Sequence, residues 1–341
     1  MTALTSQPST SIVGANGSAA AAFARRLRAL IFSQEFILMA VLIGLSLFFT
    51  AVNPRFARER NISDILLNSS YIAVAAVGMS MVIISGNIDI SVGSMIGVLA
   101  TLSGTLSTQG VPVILCWLAP LVVGPMIGAV TGFLVAYMRI PAIVVTLGMM
   151  SILQGGLIIA TGGVWIYDMP PEFKLAQQSL LGVPVPVYFM IILTIVAALW
   201  MRYTPAGREI YAVGGNKEAA RLSGISERRV IMRVFMINGF CVGIASVLFA
   251  TQFSSIQSTV PPGVELTIIT SSVVGGVSIL GGVGTVIGST IATILLRAIS
   301  SGMIFINLSA YWIQAVQGLL ILLTVLADLL RRRRQSKFQG K

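Results

Sequence analysis

The 341-residue sequence has no histidine, two cysteines and a charged fraction of only 10%. The lack of histidine excludes His-based metal sites, imidazole general bases and any Ser/His/Asp triad. Cys116 and Cys241 lie far apart inside apolar runs without metal-ligand spacing, and they read as packing residues. No Gly-x-x-x-x-Gly-Lys-[Ser/Thr] phosphate loop occurs, so the chain does not hydrolyse ATP by that route. Its 11 carboxylates are sparse and not gathered near one another, which leaves little for an enzyme site. The scarcity of charge is the most informative absence. A soluble domain carries roughly 25% charged residues to wet its surface. Here 56% of the residues are hydrophobic and the mean hydropathy is +0.93. Too few polar residues remain to cover so large an apolar mass, and its solvent is lipid.

The charges that are present lean strongly one way, with a net +11 and a pI near 10.4. Lys and Arg sit in short clusters between apolar runs, which fits cytoplasmic loops beside an anionic leaflet better than a nucleic-acid surface. Residues 1–33 are rich in Ser, Thr, Ala and Gly, with no charge before Arg25. A cleaved signal peptide would place its basic residues ahead of its apolar run. The order here is reversed, so this segment reads as a flexible cytoplasmic tail ending in Arg25, Arg26 and Arg28.

A helical span takes about 20 apolar residues. Ten windows qualify: 34–52, 62–84, 89–108, 111–137, 141–162, 184–202, 230–252, 266–281, 284–307 and 311–330. They lack the alternation of barrel strands, and lipid admits only helices or closed barrels. The expected fold is an all-α polytopic transmembrane bundle over 34–330, with broken or re-entrant helices in 62–108 and 266–307. A basic tail, 331–341, opens with Arg331, Arg332, Arg333 and Arg334. Basic residues at both ends put both termini in the cytoplasm and require an even number of spans. The loop 203–229, with Arg208, Lys217, Arg221, Arg228 and Arg229, then also falls inside. The loops around 163–183 and 253–265, with Asp168, Glu172 and Glu265 against Lys174, fall outside. Arg55, Arg58 and Arg60 disagree with the scheme, partly offset by Glu59. Gly86–Ser94 (GNIDISVGS) and Gly281–Ser289 (GGVGTVIGS) share a Gly, six residues, then Gly-Ser. That echo suits either an internal transporter repeat or coincidence among 34 glycines.

The 203–229 segment, TPAGREIYAVGGNKEAARLSGISERR after Tyr203, is too polar to span and too patterned for a linker. Asn216 can N-cap a short helix through Glu218, Ala219, Ala220, Arg221 and Leu222, which Gly224 ends. Such a helix either docks in a partner's groove or is incidental to a positive-inside loop.

At these residues the chain resembles the permeases of ABC importers. Glu218-Ala219-Ala220, three residues, then Gly224 is similar to their coupling signature, whose short helix inserts into the ATP-binding subunit. GREIYAVGGN, with Gly207, Arg208, Gly214, Gly215 and Asn216, resembles the ribose-type branch of sugar permeases. SGNIDISVGS (Ser85 to Ser94), IPAIVVTLGM (Ile140 to Met149) and SILGGVGTVIG (Ser278 to Gly288) resemble it too, over roughly 36–330 and in order. Asn87, where the family often has glycine, and Val283, where arginine is frequent, depart from it. TGGVW (Thr161 to Trp165) and PPEFKL (Pro170 to Leu175) are similar to autoinducer-2 and rhamnose permeases as well as ribose ones.

The resemblance implies import of a monosaccharide or sugar-like solute, with ATP and Mg used by a partner ATPase and no cofactor on this chain. A periplasmic solute-binding protein and a second permease, copy or paralogue, are the other implied partners. Permeases for branched-chain amino acids or nucleosides are the alternative within the superfamily, and an ion-coupled secondary transporter is the alternative outside it. For the gate or solute path, polar groups inside apolar runs are the candidates. These are Asn68, Ser69, Tyr71, Asn87, Asp89, Ser91, Gly93, Gln154, Asn238, Arg297, Trp312, Gln314 and Gln317. Interhelical hydrogen bonding is the alternative role for each. Asp89 either caps a helix start or takes part in gating, and Arg297 needs a partner if it is buried.

Overall fold

The computed structural model describes residues 33–257 and 263–339. The tail bearing Arg25, Arg26 and Arg28 lies outside the described residues, as do the side chains of Arg331 to Arg334. Among the described residues the chain is an all-α bundle of twelve helices, with a single two-stranded hairpin at Ser179–Leu180 and Val183–Pro184. Seven helices are long and apolar enough to cross a membrane: α1 (Gln34–Val52), α2 (Glu59–Ile84), α4 (Val113–Ala136), α5 (Ala142–Thr161), α6 (Val185–Tyr203), α9 (Glu227–Gln252) and α11 (Val286–Phe305).

The other apolar helices are α3 (Val92–Thr108), α10 (Val264–Val274) and α12 (Ala310–Gln339). At 1.5 Å per residue α10 is only about 16 Å long, half the roughly 30 Å of a hydrocarbon core. The 266–281 window is therefore not one spanning helix: it ends at Val274, and residues 275–285 continue without regular structure. Residues 85–91 break the chain between α2 and α3 in the same way. Both breaks fall where broken helices were expected; the first is largely buried, with Ser85, Asn87, Asp89 and Ser91 enclosed, whereas the second buries Val277 and Ser278 but turns Leu280 and Val283 outward.

The centre of the bundle is α2, α9 and α11, wrapped by lipid-facing helices. Residues 72–77 of α2 are entirely enclosed, which explains an apolar sequence with no polar stripe. By contrast α1, α4, α5 and α6 turn residues such as Leu47, Val122, Ile159 and Ile192 outward. Small residues make the close approaches. Gly124 and Gly128 of α4 face the backbone carbonyls of Gly239 and Phe235 in α9, where a Cβ would collide. That is small-xxx-small packing. Pro120 inside α4 supplies no N–H to the carbonyl of Cys116, and the Ser103 hydroxyl donates to that carbonyl at 2.7 Å instead. Cys116 and Cys241 are both buried and unpaired, as packing residues should be.

The two ends of the bundle are distinct. At one end Asn53 Nδ2 donates to the Phe305 carbonyl at 3.1 Å, and the ring of Phe56 packs between Phe49 and Phe305. The segment carrying Arg55, Arg58 and Arg60 belongs to this end. The other end, about 39 Å away along the 26 residues of α2, carries α7 (Pro205–Gly215) and α8 (Lys217–Leu222). The 203–229 segment is thus a pair of helices, of which only the second was legible in its capping residues.

Candidate functional site

The short helix α8 forms as its sequence dictates. The Asn216 side chain accepts from the Ala219 N–H at 3.0 Å, and Gly224, with φ of +80°, takes the left-handed turn after the helix. Glu218 pairs with Arg221 at 2.7 Å, and Lys217 with Glu227 of α9 at 2.9 Å. Ala220 is buried, whereas Leu222 is 80% exposed. An uncovered leucine on a charged surface element suits docking. Asn216→Ala should cost about 1 kcal/mol of local stability, read as faster amide exchange at Ala219.

Helix α7 was not foreseen, and it joins the surface loop to the core. Thr204 caps it by accepting from the Gly207 N–H at 3.0 Å. At its far end, Gly214 lies directly against the carbonyl of Ile84, the last residue of α2, so that an added Cβ would overlap it. Gly282 packs on the backbone of Gly215, and its N–H donates to the same Ile84 carbonyl at 2.8 Å. Gly281, with φ of +82°, packs against Gly86 and Gly214. The Tyr211 hydroxyl donates to the Gly284 carbonyl at 2.9 Å. Partial burial raises the Tyr211 phenol above its ordinary range, so it stays a donor. The two echoing glycine segments therefore meet each other at Gly86 and Gly281, and α7 rests on the second of them and on the end of α2. Arg208 lies at the surface of α7 and donates to the Tyr203 carbonyl at 3.2 Å.

The first break is organised by Asp89. This buried carboxylate accepts from the Ser91 N–H at 3.0 Å, the Ser91 hydroxyl at 2.6 Å and the Asn238 amide of α9 at 2.9 Å. Asp89 thus ties the turn ahead of α3 to α9, bonding Ser91 just before the helix and none of the free N–H groups of its first turn. Asn87 donates to Ser85 Oγ at 3.0 Å and lines a cleft of 470 Å³ with Arg139, Lys217, Glu227 and Arg228. Gly93, in the first turn of α3, faces the Glu265 carboxylate in the first turn of α10. Gly104, about 16 Å further along α3, meets Ile256 instead. Glu265 therefore does not lie level with Ile256 and Ile166 but well toward the α7 end of the bundle.

Arg297, Gln314 and Gln317 come together. With Thr267 they supply the polar lining of a 320 Å³ cleft between α10, α11 and α12. Tyr71 is the hydrogen-bonding partner of Arg297, Nη2 to hydroxyl at 3.3 Å. Beside it Tyr71 packs on Phe249, and Gln252 donates to Asn68 at 2.9 Å. Ser69 only bonds its own helix, to the Ile65 carbonyl. Gln154, on lipid-facing α5, and Trp312, 59% exposed, do not line this cleft. Sequence reasoning missed Tyr211, Thr267 and Gln252, for which only polarity within an apolar run could have served as a signal.

A polytopic bundle with two broken helices meeting beneath a surface helix pair is the build of a transport permease. The sequence matches the family model described as "Branched-chain amino acid transport system / permease component" over residues 61–325, and the chain belongs to that family. It is 34% identical over 294 residues to the autoinducer 2 import system permease protein LsrC of Enterobacter sp. strain 638, covering 85% of this chain and 86% of that one. It is 33% identical over 306 residues to the ribose import permease protein RbsC of Haemophilus influenzae, covering 88% of this chain and 94% of that one. The corresponding LsrC of Salmonella typhi is 32% identical over 297 residues, 87% of this chain and 86% of its own length. No solved structure matches.

Proposed function

We propose that this chain is the membrane-spanning permease subunit of a bacterial ABC importer for a monosaccharide or sugar-like solute. The observation that carries the reading is the capped helix α8, projecting from a bundle whose sequence has no phosphate loop of its own, in a family of permease components. The sugar-like solute rests on the ribose and autoinducer 2 import permeases, which match along most of their length. Branched-chain amino acids, named in the family description, are the alternative that solute identification would reveal.

In this reading α8 sits in a groove of a cytoplasmic ATP-binding subunit, with Glu218, Leu222 and Gly224 at the contact. That places both termini in the cytoplasm of the inner membrane, and leaves Arg55, Arg58 and Arg60 on the outer side as an exception to the positive-inside tendency. ATP and Mg belong to the partner. Closure of the ATP-binding dimer moves α8 and α7, and α7 moves the end of α2 and the 275–285 break because its glycines touch Ile84 and Gly282 backbone to backbone. The cleft of Arg297, Gln314 and Gln317 is the part of the solute path within this chain. A second permease completes the path, and a periplasmic binding protein delivers the solute.

Affinity capture from mild detergent tests the reading. The parent chain should retain an ATP-binding subunit, and Gly224→Arg should lose most of it, because the +80° φ strains any side chain and a bulky cation enters the contact. Glu218→Ala should weaken retention less. A chain that purifies alone and transports solute without ATP would sink the proposal.

A further inference from the structure

The charge lining the α10–α11–α12 cleft is unbalanced. Arg297 stands twelve residues into α11, about 17 Å from its start, so it lies near the middle of that 20-residue apolar helix and not at either end. Its Nε is enclosed and has no hydrogen-bond partner, and its Nη2 reaches only the neutral hydroxyl of Tyr71. The ion pairs among the described residues, Lys217–Glu227, Arg221–Glu218 and Arg233–Glu209, do not include it. Among the described residues no carboxylate lines the cleft. Glu265, although on α10, turns to Gly93. Gln314 and Gln317 also have no internal hydrogen bond among the described residues, and their amides offer both donors and acceptors.

A guanidinium at the centre of a spanning helix costs about 2.5–3.5 kcal/mol on insertion scales. A phenol does not neutralise it, and a neutral polyol would not either. An anion would, through charge-assisted hydrogen bonds roughly twice as strong as neutral ones. At 320 Å³ the cleft is at the lower end of the roughly 300–1,000 Å³ typical of small-molecule sites.

We propose that the transported solute is an anionic polyhydroxyl compound. Its carboxylate or phosphate docks on Arg297, oriented by Tyr71, while its hydroxyls bond Gln314 and Gln317. Arg297 is then a specificity-determining residue. The inference rests on the importer reading and narrows its solute.

The test has two arms. The full complex is captured from native membranes with its binding protein, and the solute released on denaturation is identified by mass spectrometry. Uptake of that solute is then measured in cells carrying the parent, Arg297→Gln or Arg297→Lys, with co-purification of the ATP-binding subunit as the control for assembly. The expected result is an anionic solute, at least a tenfold loss of uptake in Arg297→Gln and partial recovery in Arg297→Lys. A neutral solute overturns the proposal, and so does parental uptake by Arg297→Gln. If Arg297→Gln fails to assemble, the charge of the solute and the rate of Arg297→Lys decide. Recovery of neither partner subunit overturns the importer reading itself, and this inference with it.

Discussion

Gly214→Ala should abolish uptake, while Gly215→Ala, the next residue of the same helix, should leave it close to parental. The two glycines look alike in sequence, and both lie at the end of α7. A Cβ on Gly214 would overlap the Ile84 carbonyl and crowd the Gly282 nitrogen, all of it backbone with no side chain to swing aside. A Cβ on Gly215 meets only the Gly282 Cα, at 4.0 Å, an ordinary contact. Overpacking of this kind costs about 1–3 kcal/mol, with the upper end expected where backbone is the obstacle. Because α8 lies beyond the junction, Gly214→Ala should still capture the ATP-binding subunit. Its defect should therefore be ATP hydrolysis without solute movement. Measuring solute moved per ATP hydrolysed in proteoliposomes checks this, and equal behaviour of the two variants would exclude the glycine junction as the transmitting contact.

Asp89 gives the second large effect. Asp89→Leu removes the acceptor of three hydrogen bonds and leaves the Ser91 N–H and the Asn238 amide enclosed without partners. Each stranded group costs about 1–3 kcal/mol, so the variant should fail to accumulate as folded protein. Asp89→Asn is expected to fold and transport. Its amide oxygen can keep the Ser91 bonds, and the Asn238 amide can turn so that its Oδ1, which has no partner in the native arrangement, accepts from the new –NH₂. The pair also separates the importer from an ion-coupled transporter, whose relay would need a carboxylate that takes up and releases a proton. Loss of transport in a well-folded Asp89→Asn would count for the relay. Uptake and thermal unfolding in detergent read both outcomes.

The class of the protein was legible in its composition, because lipid removes the need for a charged surface and leaves long uncharged runs behind. The ten apolar runs correspond to ten apolar helices, since backbone hydrogen bonds in lipid must be met within each segment. The caps of α8 were equally plain: Asn216 and Gly224 act on neighbours three or four residues away.

What the sequence could not decide was which distant groups meet. Asp89 and Asn238 are 149 positions apart, and Arg297 and Tyr71 are 226 apart. Helix α7 has three glycines, a composition that argues against a helix, and it is stabilised by its contacts with Ile84, Gly282 and Gly284. The shortness of α10 was hidden because an apolar residue does not record whether its neighbours are lipid or protein. Local rules fixed the helices and their caps. Only the packing of residues remote in sequence determined that the two breaks meet at Gly86 and Gly281 beside one surface helix, and that a lone arginine faces a cleft.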